Sequence, residues 1–368
     1  MEEYLKRSQL FEKRLQSQSI NTRDARFLFF RMMGPLMQSK MGRFLDLSKI
    51  PTVFMHGNPH LDNYIKTFQG AGMVDFDRSR LGPYAWDIIR FLSSVSLKRQ
   101  DGDGFLDRKV VEAFIDGYFV HFLHPDIPYK QIKSLKEVNP QKWQVTTKDY
   151  LKANKKWAKK MRDYPISPKN ADVSKILTEF LRNRHDENLL DDYTLDEAGF
   201  TPGTLGKEHY IFSLVPKNPD SHLDSILLDM KEVYVEKNTK YFYSPCEHNG
   251  ERMILASKIF ADGLEQRLGF FTYNNRQYWG RQIPSFVAKV KGMLNKEEQI
   301  DVAYSVGTQL GKGHRKSIDQ KTAELIEKDF HLHFDTYYKI SKLFTYEVSI
   351  AFSTLLKKNR LYQDFKQW

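Results

Sequence analysis

Two polar motifs joined by a short hairpin pattern constrain this chain more than any other feature of its sequence. The first motif is His-Gly-Asn-Pro-His-Leu-Asp-Asn at residues 56–63, and the second is Val-Asp-Phe-Asp at residues 74–77. Residues 64–76 read as a strand, a glycine-rich turn and a second strand that contains Asp75. Since a hairpin returns its second strand beside its first, the pattern predicts that Asn63 and Asp75 face one point in space.

The side chains at this point favour a magnesium site. Asn63, Asp75 and Asp77 offer oxygen ligands, and Mg²⁺ takes one or two of these and completes its shell with water and phosphate oxygens. We therefore interpret the motifs as the metal platform of a phosphoryl-transfer enzyme. Asparagine and aspartate beside a glycine-rich turn are also ordinary turn residues, so a structural interpretation stays open.

A carboxylate on the next helix is a further candidate. Residues 81–84 read as a turn, and an apolar helix begins at Ala85 with Asp87 in its first turn. We expect Asp87 to hydrogen-bond back to the loop that begins at His56. Stabilisation of a helix-start carboxylate by the helix dipole is the alternative, and the two roles are compatible.

Length and composition set the broad class. With 368 residues, of which 40% are hydrophobic, the chain can build two lobes and a large core. It contains no run of about 18 apolar residues, and its first residues lack the apolar core of a signal peptide. The single cysteine, Cys246, fits a reducing compartment. These features predict a cytoplasmic protein without a membrane partner.

The net charge of +11 has two interpretations. A basic cleft would attract phosphate-rich ligands such as ATP or nucleic acid, whereas a lysine-rich surface is simply well solvated. The basic run at residues 152–160 could contact RNA or an acidic partner. We favour the solvated surface for most of the charge and keep nucleic acid as the lesser alternative.

Hydrophobic periodicity changes twice along the chain. Helical spacing dominates up to about Tyr193, strand patterns follow, and helical spacing returns from Pro284. The pattern predicts an α+β protein with a helical segment at 1–192, a β-rich segment at 193–283 and further helices at 284–368. Within these segments we expect strands at 52–55, 208–215 and 225–234, a helix at 251–268, a hairpin of 269–273 with 278–283, and a long aromatic helical region at 318–362.

The β-rich segment carries a candidate phosphate site. Gly203, Thr204 and Gly206 precede a strand, where backbone N–H groups could approach phosphates, and Lys231 lies on the next strand. A glycine turn, two strands with a lysine and then a helix is the order of a kinase small lobe. An ordinary turn and a surface lysine are the alternatives. For the carboxylate partner of Lys231 we consider Glu251 and Glu265, without choosing between them.

The first pair of motifs resembles the protein-kinase-like superfamily, in particular the aminoglycoside and choline kinases, which carry H-G-D-x-H-x-x-N and then a hydrophobic-Asp-aromatic motif. More closely, the chain is similar to the bacterial domain of unknown function 2252 family, with its G-D-x-H-x-x-N-F, N-D-F-D-E and G-P-x-x-W-D-x-x-R segments. The matching residues are His60, Asn63, Asp75, Phe76, Asp77, Gly82, Pro83, Trp86, Asp87 and Arg90.

Later segments extend the resemblance. Residues 201–206 match the family's G-x-G-S-x-G without its first glycine, and residues 228–233 match L-Q-x-K-E-A with Lys231 as the lysine. Residues 278–282, which contain Arg281, resemble Y-x-R-Q, and residues 313–317 resemble a late H-A-R-S motif. In this motif His314 and Arg315 could bind phosphate or a substrate carboxylate, and capping of a helix end is the alternative. Because the kinase-like small lobe follows the catalytic loop instead of preceding it, the resemblance implies a circularly permuted, two-lobed kinase-like fold that binds Mg²⁺ and ATP in an inter-lobe cleft.

One departure decides what chemistry is expected. Asn58 stands where both related families have an aspartate, and an amide cannot act as a base at neutral pH. General-base catalysis contributes roughly 10²–10⁴-fold, so its loss weakens transfer without preventing ATP binding. The predicted catalytic residues are His56, Asn58 and Asp62, with Asp62 as an alternative base or second metal ligand.

Several functions remain open at this point. The first is a slow kinase that acts on a small-molecule or protein hydroxyl, and the second is a nucleotide-binding pseudokinase. An acidic residue beside the metal asparagine also resembles the selenoprotein-O-like pseudokinases, which transfer AMP. A different class is a metal-dependent hydrolase in which His56, His60, Asp75 and Asp77 bind a transition metal.

Overall fold

The backbone combines α-helices with antiparallel β-sheets, which confirms the α+β class. The computed structural model describes residues 9, 11–12, 22–67, 70–98, 106–127, 161, 163–202, 207–284, 287–290 and 294–366. The helices are α1 (Thr22–Met32), α2 (Gly34–Lys40), α3 (Ala85–Leu97), α4 (Arg108–Leu123), α5 (Ala171–Arg184), α6 (Leu189–Asp192), α7 (Asn249–Phe260), α8 (Lys296–Lys316) and α9 (Gln320–Lys366). The strands are β1 (Thr52–Met55), β2 (Tyr64–Thr67), β3 (Gly70–Met73), β4 (Arg80–Pro83), β5 (Pro165–Ile166), β6 (Tyr193–Pro202), β7 (Glu208–Pro216), β8 (Ile226–Glu232), β9 (Gln266–Tyr273), β10 (Arg276–Gln282) and β11 (Ala288–Lys289). None of the helices in these described ranges is both long and apolar enough to cross a membrane.

The chain divides into two compact units. The first comprises Met1–Asn63, Leu81–Ser134 and Val290–Trp368, and the second comprises Tyr64–Arg80 and Leu135–Lys289. The hairpin of β2 and β3 therefore belongs to the same unit as the large sheet, although it is distant from that sheet in sequence. The β-rich segment predicted at 193–283 lies within this second unit.

The first unit is mainly helical and is organised around α3. Every residue of α3 is buried: its apolar side chains lie in the core, and Asp87 and Arg90 on its polar side are hydrogen-bonded. Helices α9 and α1 pack against it, while β1 pairs with β4 to form a two-stranded sheet. This arrangement places the start of α3 beside the loop that follows β1.

Glycines allow α4 and α8 to pack unusually closely in the first unit. A Cβ atom at Gly307 would lie 2.5 Å from the carbonyl oxygen of Phe114, and one at Gly311 would meet the carbonyl oxygen of Tyr118 even more closely. In the opposite direction, a Cβ atom at Gly117 would strike the carbonyl oxygen of Tyr304. The helix crossing thus requires residues without a side chain at these positions.

The second unit is built on a six-stranded sheet in the order β5-β6-β7-β8-β10-β9, with a separate sheet of β11, β2 and β3. One face of the large sheet is apolar and lies in the same core as α5. Because side chains alternate along a strand, Asp229 and Lys231 on β8 lie on the opposite face from Leu228 and Met230. The register pairs Lys231 with His209 of β7 and with Trp279 of β10.

Three predicted elements differ from the structure, and one strand was not predicted. Residues 81–84, predicted as a turn, lie mostly in β4, which pairs with β1. The glycine-rich residues that we expected to form a turn belong to β3, which ends at Met73, so Asp75 follows the strand and has a φ of 75°. The helix predicted at 251–268 ends at Phe260, because Gly263 adopts a left-handed φ of 72° and β9 begins at Gln266. Strand β6 was not predicted, since its acidic residues and glycine disfavour a strand, and pairing with β5 on one side and β7 on the other specifies it.

The close crossing of α4 and α8 predicts a strong effect of one added methyl group. Gly311→Ala should destabilise the protein by about 1–3 kcal/mol, because the new Cβ atom must push the two backbones apart. Thermal unfolding followed by circular dichroism measures this loss. Gly42→Ala is the matched control, since its Cβ atom would meet only a Leu47 methyl at 3.8 Å. Equal melting temperatures for the two variants would contradict the close packing.

Candidate functional site

The loop after β1 is held by the carboxylate of Asp87. The backbone N–H groups of His56 and Gly57 donate to the two oxygens of Asp87, at 2.7 and 2.9 Å. The Trp86 indole N–H donates to the Gly57 carbonyl at 2.8 Å. This confirms the predicted bond from the first turn of α3 back to the loop.

A buried histidine completes this network. His314 Nε2 lies 3.1 Å from Asp87 Oδ2, and His314 Nδ1 lies 2.9 Å from the Tyr118 hydroxyl. Because a carboxylate only accepts hydrogen bonds, Nε2 donates to Asp87. Burial, together with the Asp87 charge, raises the pKa of Tyr118 well above its ordinary value. The sequence offered phosphate binding or helix capping for His314, and the structure instead assigns it to the support of Asp87.

Asn58 is held by a buried arginine. Arg90 Nε donates to Asn58 Oδ1 at 2.9 Å, and Arg90 also donates to the Phe30 carbonyl at 3.0 Å. The guanidinium lies 3.6 Å from the centre of the Phe30 ring. Asn63 Nδ2 donates to the Asn58 carbonyl at 3.2 Å, so the amide nitrogen of the predicted metal ligand braces the loop.

Asp62 and His60 have structural contacts in the same unit. Asp62 forms ion pairs with Arg31 at 3.1 Å and Lys98 at 2.9 Å. His60 is fully buried and lies edge-on to Phe27. Burial, aided by the nearby Arg31 charge, lowers the pKa of His60 well below its ordinary value. These contacts make Asp62 part of a charge cluster and keep His60 neutral at physiological pH.

In the second unit, the loop after β3 carries Asp75 and Asp77. Arg252 of α7 fastens this loop, since its guanidinium donates to the Asp77 carbonyl at 3.2 Å, to the Phe76 carbonyl at 3.4 Å and, by a shorter contact, to the Ser79 carbonyl. Asp75 is exposed. These hydrogen bonds hold the loop through its main-chain carbonyls. They use neither the Asp75 nor the Asp77 carboxylate.

The pKa of Asp77 shows which predicted residues lie together. Burial raises this pKa to about 6, the negative charge of Asp75 adds to the increase, and the positive charges of Lys231, Arg252 and Arg78 oppose it. Such effects require charges that are near in space. Asp75, Asp77 and Lys231, which are distant in sequence, therefore share one electrostatic environment in this unit.

Lys231 pairs with a carboxylate that sequence reasoning missed. Its Nζ lies 3.5 Å from Asp229 Oδ2, and the fully buried Asp229 also contacts His209 Nε2 and, at 3.6 Å, Arg281 Nε. Burial alone would raise the pKa of Asp229, but Lys231 and His209 outweigh it and hold the pKa well below the ordinary range. The alternation of residues on β8 could have indicated this pair, because positions 229 and 231 share a face.

Among the residues that the structure describes, neither Glu251 nor Glu265 forms an ion pair with Lys231. Glu265 accepts a hydrogen bond from Arg281 NH1, which places the predicted cofactor-binding arginine between two carboxylates. Arg315, also considered as a phosphate ligand, donates to the Ile318 carbonyl and to Gln320 at the end of α8.

The predicted glycine turn lies outside the described residues, as do its members Gly203, Thr204 and Gly206. Its flanks are defined by pairing between Pro202 and Glu208. Lys207 forms an ion pair with Glu232 at 2.6 Å, and the Glu208 N–H donates to the same carboxylate at 3.1 Å. The Glu232 carboxylate, next to Lys231 in the sequence, therefore binds the start of β7.

The described residues contain no group of three or more histidine, cysteine, aspartate or glutamate side chains arranged to hold a metal ion. Of the four residues considered for a transition metal, His56 and His60 belong to the first unit and Asp75 and Asp77 to the second.

Comparison with known protein families gives one match. A family model described as an uncharacterized protein conserved in bacteria (DUF2252) matches residues 12–125 and 129–367. Comparisons with curated proteins and with solved structures found no match.

The raised pKa of Asp77 predicts that its ionised carboxylate lowers the free energy of unfolding of the metal-free protein. Its folded pKa is about 6, against 3.8 for an ordinary aspartate, so the folded state binds more protons between these values. The contribution of Asp77 to the free energy of unfolding therefore falls as the pH rises from about 4 to 6. At pH 7.5, Asp77→Asn should raise the free energy of unfolding by about 1–3 kcal/mol.

Urea unfolding in EDTA at pH 7.5 and pH 5 measures this effect. The gain should shrink at pH 5, where wild-type Asp77 is itself largely neutral. Asp75→Asn is the companion variant, because it removes the like charge and should lower the pKa of Asp77. A loss of stability in Asp77→Asn that is the same at both pH values would contradict the assignment.

Proposed function

Because this chain belongs to the bacterial DUF2252 family, whose description assigns no activity, we propose from its own residues that it binds Mg²⁺ and ATP and is related to phosphotransferases. The observation that carries this proposal is the shared environment of Asp75, Asp77 and Lys231. Two carboxylates and one lysine are the groups that bind a divalent cation and the phosphates of a nucleotide.

The acidic pair suits a divalent cation. Burial and the like charge of Asp75 both disfavour the ionised form of Asp77. A bound cation would attract both carboxylates and offset their repulsion. Asp75 and Asp77 would hold Mg²⁺ within the second unit. When bound, the ion neutralises charge on phosphate oxygens.

The lysine suits a phosphate. Lys231 keeps about a third of its side chain exposed, while Asp229 beneath it is fully buried. Asp229 and Glu265 also hold Arg281, whose guanidinium lies 5.5 Å from the centre of the Trp279 ring. A buried carboxylate therefore fixes the position of Lys231 and leaves its ammonium group accessible to an anion.

The loop at residues 56–63 fits slow phosphotransfer at most, and nucleotide binding without turnover is the second candidate. Asn58 lacks a proton-accepting group, and its amide oxygen accepts from Arg90. Asp62, the alternative base, is occupied by Arg31 and Lys98. These contacts support a binding function more strongly than efficient transfer to a small-molecule or protein hydroxyl.

Nucleotide binding should be visible as thermal stabilisation. Millimolar Mg²⁺-ATP should raise the melting temperature by about 2–4 °C or more, because a ligand that binds only the folded state stabilises it by mass action. Lys231→Met should remove most of this shift with and without Mg²⁺. Asp75→Asn should remove only the metal-dependent part.

Two comparisons make the test specific. Lys217→Met, which removes an exposed lysine from the loop after β7, is the matched control and should keep the full shift. Asp229→Asn should reduce the shift beyond its effect on the ligand-free melting temperature, because Lys231 loses its fixed position. An unchanged melting curve for the wild type with Mg²⁺-ATP would reject the proposed site.

Turnover separates the two candidates. Asn58→Asp supplies a proton acceptor while keeping an oxygen for Arg90 Nε, so any slow ATP turnover should rise by about tenfold or more with unchanged affinity. ATP labelled at the α- or γ-phosphate distinguishes AMP transfer from phosphate transfer. Asn58→Ala is the control. If turnover is absent in the wild type and in both variants, the binding function without transfer is the correct one.

A further inference from the structure

Helix α9 has a buried face and a second face that is apolar but exposed. The buried side chains of the first face include Ile326, Phe330, Phe344 and Phe352. On this inner side, Asp329 accepts hydrogen bonds from the hydroxyls of Tyr84 at 2.7 Å and Tyr337 at 2.6 Å. The orientation of α9 about its own axis is therefore fixed, and so is the set of side chains that it turns outward.

The outward face carries five large apolar side chains. Their exposed fractions lie between 48% and 66%, and they are Leu325, Leu332, Leu343, Tyr346 and Ile350. At about 100° per residue, the leucines and Ile350 fall within about 20° around the helix axis, and Tyr346 lies about 40–60° to one side. The stripe spans about 38 Å at 1.5 Å per residue. Single exposed apolar residues are common, whereas an aligned row of them indicates an interaction surface.

The spacing of the stripe is symmetric about a point between Tyr337 and Tyr338. Leu325 and Ile350 lie equally far from this point along the helix, and Leu332 and Leu343 also lie equally far from it. When two copies of a helix pack antiparallel about a twofold axis, residues equidistant from the axis face each other. Leu325 of each copy would therefore contact Ile350 of the other, and Leu332 of each copy would contact Leu343 of the other.

The flanking charges fit the same symmetry. A twofold axis brings each flank of one helix against the same flank of the other. On the flank of Tyr346 lie exposed Lys328, Asp335 and Lys339. The axis brings Asp335 close to Lys339 of the second copy, and Lys328 close to the ring of Tyr346. Opposite charges and a cation beside an aromatic ring are both favourable contacts.

We propose that the stripe of α9 is a homodimer surface, in which two copies of this chain pair antiparallel through Leu325, Leu332, Leu343, Tyr346 and Ile350. The centre of the contact is polar, because Thr336 faces Lys339 of the second copy beside the axis. A polar centre costs affinity and specifies register. The dimer should therefore dissociate on dilution, with a dissociation constant on the order of micromolar.

Sedimentation velocity over a concentration series tests the surface. Wild type should shift from monomer to dimer as concentration rises, and Leu332→Glu should raise the dissociation constant by at least about tenfold. Leu223→Glu, which alters a leucine of similar exposure outside α9, is the matched control and should leave it unchanged. A wild type that stays monomeric at all concentrations overturns the proposal, and so does equal weakening by both variants.

A charge exchange tests the register. Asp335→Lys alone places lysines opposite each other and should weaken the dimer by about tenfold, as should Lys339→Asp alone through its opposed carboxylates. The double variant restores both pairs and should recover the wild-type dissociation constant. Failure of the double variant to recover, with circular dichroism showing all variants folded, overturns the antiparallel register.

Cross-linking tests direction independently of affinity. In a Cys246→Ser background, Leu332→Cys with Leu343→Cys should form disulfide-linked dimers on mild oxidation. Leu332→Cys alone should not, because its two copies lie about 16 Å apart along the axis. Efficient linkage by the single variant would show a parallel pair and overturn the proposal.

Discussion

The arrangement of the first unit depends on one buried carboxylate. Asp87 accepts hydrogen bonds from the backbone N–H groups of His56 and Gly57 and from His314. A hydrogen bond to a charged group contributes about 1.5–3 kcal/mol, so this side chain can hold an irregular loop that no regular element supports. The network joins the loop after β1, the start of α3 and the end of α8, which are far apart in sequence. The positions of Asn58 and Asn63 follow from it.

The second unit has the opposite electrostatic character near its candidate site. Asp229 is buried but surrounded by positive groups, which hold its pKa low. Asp77 is half-buried, and this burial, together with the charge of Asp75, raises its pKa to about 6. The charges around Asp229 stabilise the fold. The charge of Asp75 beside Asp77 destabilises it, and a bound cation would offset this loss. Strain of this kind, set beside well-paired neighbours, is typical of a binding site.

The contacts of Asn58 and Asp62 bear on how far the chain could act as an enzyme. A buried guanidinium holds the amide oxygen of Asn58, and two cations hold Asp62. The Asn58 amide has no basic group and the Asp62 carboxylate is held in ion pairs, although the loop that carries them is firmly supported. These occupied side chains are the reason that we propose nucleotide binding ahead of efficient transfer.

The sequence by itself determined the elements whose signal is local. Strand β1, the strands around Lys231, the long final helix and the contact of Asp87 with its loop all follow from periodicity, turn residues and the motif at 56–63. Tertiary structure decided the rest. Strand β6 exists because β5 and β7 supply its hydrogen bonds, Asp75 follows β3 in a left-handed conformation, and His314 reaches Asp87 across 227 residues. The partner of Lys231 is Asp229 because residues two apart share one face of a strand, and the burial of that face, which makes the pairing strong, is set by packing of the whole sheet.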